Sequence, residues 1–145
     1  RNVLDEKNGP PPEINLFNEK NNGETLLRLI DSGYIKSAHD VSIGGIITAI
    51  SKMCIKGKKG INLKKLKYLI SEIEYYFAED QGRYIIEVNK DSLKKVTDIL
   101  DKNAVHYDEL GTINADQLFI NDKTKVTIDE LKTSNTNWLT DYMSK

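Results

Sequence analysis

One ten-residue stretch, Ser37-Ala38-His39-Asp40-Val41-Ser42-Ile43-Gly44-Gly45-Ile46, limits the fold of this chain more than any other. Ile35 to Ala38 has strand character, two adjacent glycines bring a tight turn, and an apolar helical run opens at Ile46. A strand that ends on such a turn and feeds a helix points to an α/β architecture. The junction also sets backbone N–H groups beside the positive end of a helix dipole, which suits an anion, commonly phosphate. Asp40 beside it can hold a divalent cation on the same phosphate. A structural reading competes: Gly44-Gly45 lets the chain turn, while Asp40 and Ser42 cap the helix. The spacing matches neither a Walker loop nor a GxGxxG fingerprint, so both readings stand.

The chain before this stretch divides in two. Arg1 to Lys20 reads as an extended arm, because Gly9-Pro10-Pro11-Pro12 cannot be helical and each residue before a proline is pushed to extended backbone. Ile14, Leu16 and Phe17 offer apolar anchors for it. Residues 21–145 read as one domain. Asn22 or Gly23 begins a helix that runs through Leu26, Leu27, Leu29 and Ile30 and stops at Gly33.

After the opening stretch, Lys56-Gly57-Lys58-Lys59-Gly60 is a basic glycine loop, either a solvated turn or a phosphate contact. Ile61-Asn62-Leu63 predicts a short strand and Leu63 to Ser71 a short helix. Ile73–Ala78 and Arg83–Val88 both predict strands, since Tyr75, Phe77, Tyr84, Ile86 and Val88 alternate with period two. Glu79-Asp80-Gln81-Gly82 joins them as a hairpin or a crossing. Asp91 or Ser92 caps a helix through Leu100 that closes near Asn103. Val105 to Ile113 predicts a strand broken near Leu110-Gly111, and Asp116–Asn121 with Lys125–Ile128 a hairpin. Asp129 caps a last helix, with a break expected across Thr133–Asn137 where helix propensity is poor. Intermixed strands and helices favour a mixed sheet covered by helices.

Composition removes several function classes. The 145 residues suffice to bury a core, and a net charge of −1 from 21 basic and 22 acidic side chains argues against general nucleic-acid or membrane-surface binding. No run is long and apolar enough to cross a bilayer. A single cysteine, Cys54, excludes an internal disulfide and fits a reducing cytoplasm; its place in an apolar helical run makes it a buried hydrophobe. Two histidines, His39 and His106, without a cysteine partner at zinc spacing argue against a zinc site. No serine–histidine–acid arrangement can be argued. The chain opens at Arg1 without Met, so a fragment or a processed piece of a larger protein is expected.

Two stretches combine charge, glycine and a strand end: His39-Asp40 with Ser42 and Gly44-Gly45, and Glu79-Asp80-Gln81-Gly82-Arg83. Both can face one cleft, because ligand sites in sheet proteins lie where strands end. A carboxylate with an arginine four residues on is equally an ordinary surface pair worth less than about 1 kcal/mol.

These stretches also carry a family resemblance. Ser37-Ala38-His39-Asp40-Val41-Ser42-Ile43-Gly44-Gly45 resembles the SAHDVSDGG segment of the phosphoribosylformylglycinamidine synthase family. Phe77-Ala78-Glu79-Asp80-Gln81-Gly82-Arg83-Tyr84 is similar to its FSESQGR(Y/F), and Gly9-Pro10-Pro11-Pro12-Glu13-Ile14-Asn15-Leu16 to the GxPPxVDL arm before its last domain. Gly111-Thr112-Ile113 resembles a late IGxV strand, and Leu131 to Trp138 the closing helix. The resemblance implies a C-terminal domain related to that of aminoimidazole ribonucleotide synthetase, a three-layer α/β/α sandwich on a mixed sheet. It implies a cytoplasmic parent enzyme of purine biosynthesis, a ligase that uses ATP, Mg²⁺ and glutamine-derived ammonia to turn formylglycinamide ribonucleotide into the amidine. The implied partners are the N-terminal domains of the same polypeptide and, in a short-form enzyme, a glutaminase subunit and a small bridging subunit. Whether the parent is of the short or the long fused form stays open.

Carried over residue by residue, His39, Ser42, Gly44, Gly45, Glu79, Gln81 and Arg83 are candidates for a phosphate or nucleotide cleft, and Asp40 for a metal ligand. No residue is expected to be catalytic, because this last domain belongs to the half of the enzyme that holds an auxiliary nucleotide. Ile43 stands where the family has aspartate, and Ala78 and Asp80 where it has serines; losing a carboxylate at Ile43 weakens the metal reading. The fragment is expected to be inactive alone. Two other readings accompany this one: a non-catalytic interaction scaffold, or the C-terminal domain of another superfamily member such as aminoimidazole ribonucleotide synthetase, selenophosphate synthetase or thiamine-monophosphate kinase.

Overall fold

The computed structural model describes residues 13–64, 71–120 and 124–144. Its elements run α1 (Leu16–Asp31), β1 (Ile35–Asp40), α2 (Gly45–Gly57), β2 (Gly60–Leu63), α3 (Glu72–Phe77), β3 (Tyr84–Val88), α4 (Lys90–Lys102), β4 (Gly111–Asn114), β5 (Gln117–Ile120), β6 (Thr124–Thr127) and α5 (Ile128–Met143).

The strands form two sheets. β1 and β3 pair antiparallel, with His39 opposite Ile85 and Asp40 opposite Tyr84. The other sheet is mixed, in the order β4-β2-β5-β6: β2 runs parallel to β5 and antiparallel to β4, and β5 pairs antiparallel with β6. Helices cover β1–β3 on both faces, which the side-chain alternation of β3 makes plain. Ile86 and Val88 pack with Leu29 of α1 and Val96 and Leu100 of α4, while Ile85 points the other way into the cluster built on Ile46, Ala49 and Ile50 of α2. Successive residues of one strand thus feed two cores, and the α/β/α layering expected for the family follows. Leu118 of β5, Leu63 of β2 and Ile128 of α5 extend the α2 core across the mixed sheet. Leu29 and Val96 are each 1% exposed, a burial worth about 1.5–3 kcal/mol per side chain.

Several expectations need correction. α1 opens at Leu16, not at Asn22 or Gly23, because the Asn15 side chain accepts from the Asn18 N–H at 3.0 Å and caps the helix there. Leu16 to Lys20 are therefore helical and not extended, and Ile14, Leu16 and Phe17 are 61–78% exposed instead of anchored. The polyproline segment lies outside the described residues, as do most of the helix expected over Leu63–Ser71 and the turn between β5 and β6. Residues 73–77 form helix α3 and not a strand. Ser71 and Glu74 make a capping box, in which the serine hydroxyl takes the Glu74 N–H at 3.1 Å and the glutamate takes the Ser71 N–H at 2.9 Å. Residues 105–110 carry no strand ladder, and only Gly111–Asn114 pair, with β2. α4 starts after Asn89, ahead of the expected Asp91 or Ser92. α5 is capped by Thr127 with Glu130, not by Asp129, and runs unbroken through 133–137. Within its low-propensity middle the Thr136 hydroxyl is satisfied by Lys132 O at 3.0 Å without breaking the helix.

Candidate functional site

The strand-turn-helix junction forms as its residues predict. β1 ends at Asp40, and the Val41 N–H donates to Arg83 O at 2.9 Å, keeping β1 on β3 for one further bond. Ser42 to Gly45 then make a β-turn closed by Gly45 N–H to Ser42 O at 2.9 Å. Gly44 sits at φ 82°, ψ 8°, which is position i+2 of a type II turn and calls for glycine. Gly45 also has a positive φ, 68°, and lies directly on the backbone of 76–78. A β-carbon there would stand 2.5 Å from Tyr76 O and 2.7 Å from Phe77 C. The second glycine is thus demanded twice, by conformation and by close approach.

The two charged stretches meet. Glu79, 35 residues further along the chain, places its carboxylate on the turn, and the Gly44 N–H donates to its Oε1 at 2.8 Å. Both glycine N–H groups of the turn are therefore engaged within the chain. Neither Asp40 nor Ser42 caps α2, whose N-cap is Gly44 and has no side-chain cap of its own. Arg83 stiffens the loop that carries Glu79: its Nη2 donates to Ala78 O and lies 3.4 Å from Asp80 Oδ2. The Arg83 Nε is buried without a hydrogen-bond partner among the described residues. Gly82, at φ 67°, turns the chain into β3, and Asn22 of α1 donates to its carbonyl at 3.0 Å.

The remaining candidates lie on the rim. His39 is half-buried on β1, with Nδ1 2.6 Å from the carbonyl oxygen of Asp40 and 3.4 Å from Asp40 Oδ1. The Asp40 side chain is 64% exposed. Ser42 and Gln81 are exposed. Asp40 offers one carboxylate, and no group of three His, Cys, Asp or Glu side chains among the described residues can hold a metal ion. The donor set of the described residues does not by itself fit a bound Mg²⁺. Nor does the geometry of the described residues show a base aimed at a nucleophile. The sequence reading missed Asn22 and Thr48, which back the loop and the turn, and neither stands in a motif that would have marked it.

The family model for the AIR synthase related protein, C-terminal domain, matches residues 1–123. The chain belongs to this family. It is 70% identical over 143 residues to the phosphoribosylformylglycinamidine synthase subunit PurL of Pelagibacter ubique, covering 99% of this chain and 20% of that protein. The subunit of the same name from Bartonella bacilliformis is 34% identical over 143 residues, with 99% of this chain and 19% of that protein covered. The chain spans about a fifth of the length of these relatives. Among solved structures, Thermotoga maritima PurL complexed with FGAR matches with a TM-score of 0.74 at 18% identity, over 89% of this chain and 23% of that one. The same protein complexed with ATP matches with a TM-score of 0.66 at 19% identity, over 77% of this chain and 21% of that one. At that identity the likeness is one of fold. The mixed α/β fold and the kinship expected from the His39–Gly45 and Glu79–Arg83 stretches both hold. No helix among the described residues is long and apolar enough to cross a membrane.

Proposed function

We propose that this chain is the C-terminal domain of a phosphoribosylformylglycinamidine synthase, an ATP-dependent ligase of purine biosynthesis, and is inactive alone. The observation that carries the reading is 70% identity to a PurL subunit across 143 residues, with both charged stretches inside the match. The parent enzyme uses ATP, Mg²⁺ and glutamine-derived ammonia to convert formylglycinamide ribonucleotide to the amidine, in the cytoplasm. The domain starts with α1 at Leu16, not at residue 21, and the residues before it connect it to preceding domains. The preceding domains of the same polypeptide are its first partners, followed by a glutaminase subunit and a small bridging subunit.

Within that enzyme the rim residues His39, Asp40, Ser42 and Gln81 edge a phosphate or nucleotide cleft, whose shape Gly44, Gly45, Glu79 and Arg83 maintain. Asp40 supplies one metal ligand at most, and the others come from outside this chain. A purely architectural role is favoured by the turn itself, whose two glycine N–H groups are already bonded inside the chain.

A domain exchange tests the proposal. Replacing the last fifth of the 70% identical relative with this chain should give a hybrid that forms the amidine from formylglycinamide ribonucleotide, ATP and an ammonia source. A folded, inactive hybrid beside an active parent would refute it. In the same hybrid, Asp40→Ala separates the two roles. A raised KM for Mg·ATP supports the cleft, and unchanged kinetics support the architectural reading.

A further inference from the structure

We propose that Glu79 is a strap that closes the joint between the 78–83 loop and the N-terminus of α2, its carboxylate taking a turn N–H that would otherwise be open to an outside anion. The motif glutamate thereby gains a job that kinship does not assign to it. Helix α2 needs such a group. Its N-cap is a glycine without a side chain, and its first turn contains no acidic residue. The Gly44 N–H at the positive end of the helix dipole is met by a carboxylate from another part of the chain, at 2.8 Å.

The loop that brings Glu79 is held from three further directions. Arg83 grips Ala78 O and faces Asp80, Asn22 holds Gly82 O, and the backbone of 76–78 lies against Gly45. The carboxylate therefore arrives on a braced loop, and the contact is preorganised rather than a chance meeting of exposed groups. A strap of this kind joins β1, α2, α3 and β3 into one block, adding a hydrogen bond between the 78–83 loop and the helix to the packing of 76–78 on Gly45.

Amide hydrogen exchange on the 145-residue chain reads the contact directly. The Gly44 amide should be protected in the unaltered chain and exchange roughly five- to tenfold faster in Glu79→Ala. Amides of α4 should not change between the two. Glu79→Gln retains an acceptor oxygen and should hold Gly44 exchange within about twofold of the unaltered chain. Millimolar inorganic phosphate should leave the Gly44 amide resonance of the unaltered chain in place. Equal Gly44 exchange in the unaltered chain and Glu79→Ala would overturn the strap, and so would a phosphate-induced shift at Gly44. If Glu79→Ala does not fold, the other two measurements decide. Slow Gly44 exchange in Glu79→Gln and a Gly44 resonance unmoved by phosphate support the strap, while fast exchange or a phosphate-induced shift at Gly44 overturns it. None of these readouts depends on the activity proposed for the parent enzyme.

Discussion

Gly45→Ala is the substitution that most sharply tests the junction. Two independent costs meet at this position. The residue has φ 68°, where an L side chain costs about 1–2 kcal/mol against glycine. The added β-carbon would also stand 2.5 Å from Tyr76 O, 2.7 Å from Phe77 C and 2.8 Å from Ala78 O. All three are backbone atoms, so no side chain can swing aside, and α2 must move away from α3 at an overpacking cost of about 1–3 kcal/mol. The joint penalty of about 2–5 kcal/mol is a large part of the 5–15 kcal/mol that holds a typical domain together. In urea denaturation followed by circular dichroism, the midpoint should fall by about 1–2 M. Gly44→Ala should lose less, because its positive φ remains costly but the obstacle is the side chain of Thr48. Gly57→Ala, with open space and no positive φ, should gain about 0.5–1 kcal/mol. A Gly45→Ala chain within about 0.5 kcal/mol of the original would refute the reasoning, since that is the range of an unremarkable surface change.

Other outcomes follow from single contacts. Glu74 and Glu130 accept hydrogen bonds from Ser71 and Thr127, which lower their pKa values from the ordinary carboxylate value. A pKa depressed in the folded state gives stability that is present above the unfolded value and fades as pH falls through the folded one. An NMR titration should therefore find both midpoints low, and Ser71→Ala or Thr127→Ala, which remove the hydroxyl but keep the backbone N–H that lowers each carboxylate most, should restore Glu74 or Glu130 only in part. Burial raises the Cys54 thiol to about 11, so it should resist alkylation at pH 8 in the folded chain and react once the chain is unfolded in denaturant. Lys58 and Ala104 adopt φ 51° and 50°, and Lys58→Gly or Ala104→Gly should each raise the urea-derived stability by about 1 kcal/mol.

Where neighbours in sequence decided the structure, the residues could be read. Ile35–Ala38 followed by paired glycines and the apolar face of Ile46, Ala49 and Ile50 allowed only a strand, a turn and a helix. Gly33, which stops α1 at φ 71°, and Asn103, which caps α4, were equally plain. The failures have local causes of a different kind. Tyr75 and Phe77 alternate as strand residues do, yet Ser71 and Glu74 bond each other's backbone N–H, and a capping box outweighs a weak β preference in so short a segment. Asn15 moved the start of α1 by the same sort of contact. Over 105–110 the apolar residues were legible, but among the described residues only the Lys64 backbone N–H reaches this segment's backbone from the end of β2, donating to Leu110 O at 2.8 Å, and one bond makes no ladder.

The site was legible as two halves and not as a whole. The turn Ser42–Gly45 offers N–H groups and therefore asks for an anion. The stretch Glu79–Arg83 offers a carboxylate on a glycine-bent loop and therefore asks for a donor. Taken separately, each is half of a ligand site, and spacing along the chain could not show that the halves meet. Pairing of β1 with β3 brings them together: Asp40 lies opposite Tyr84, so the residues after Asp40 and those before Tyr84 leave the sheet at the same end. Once there, Glu79 answers the turn directly at 2.8 Å. The sequence motif and the structural joint are thus one object, and the chemistry that makes the stretch look like an anion site is the chemistry that lets the domain close on itself.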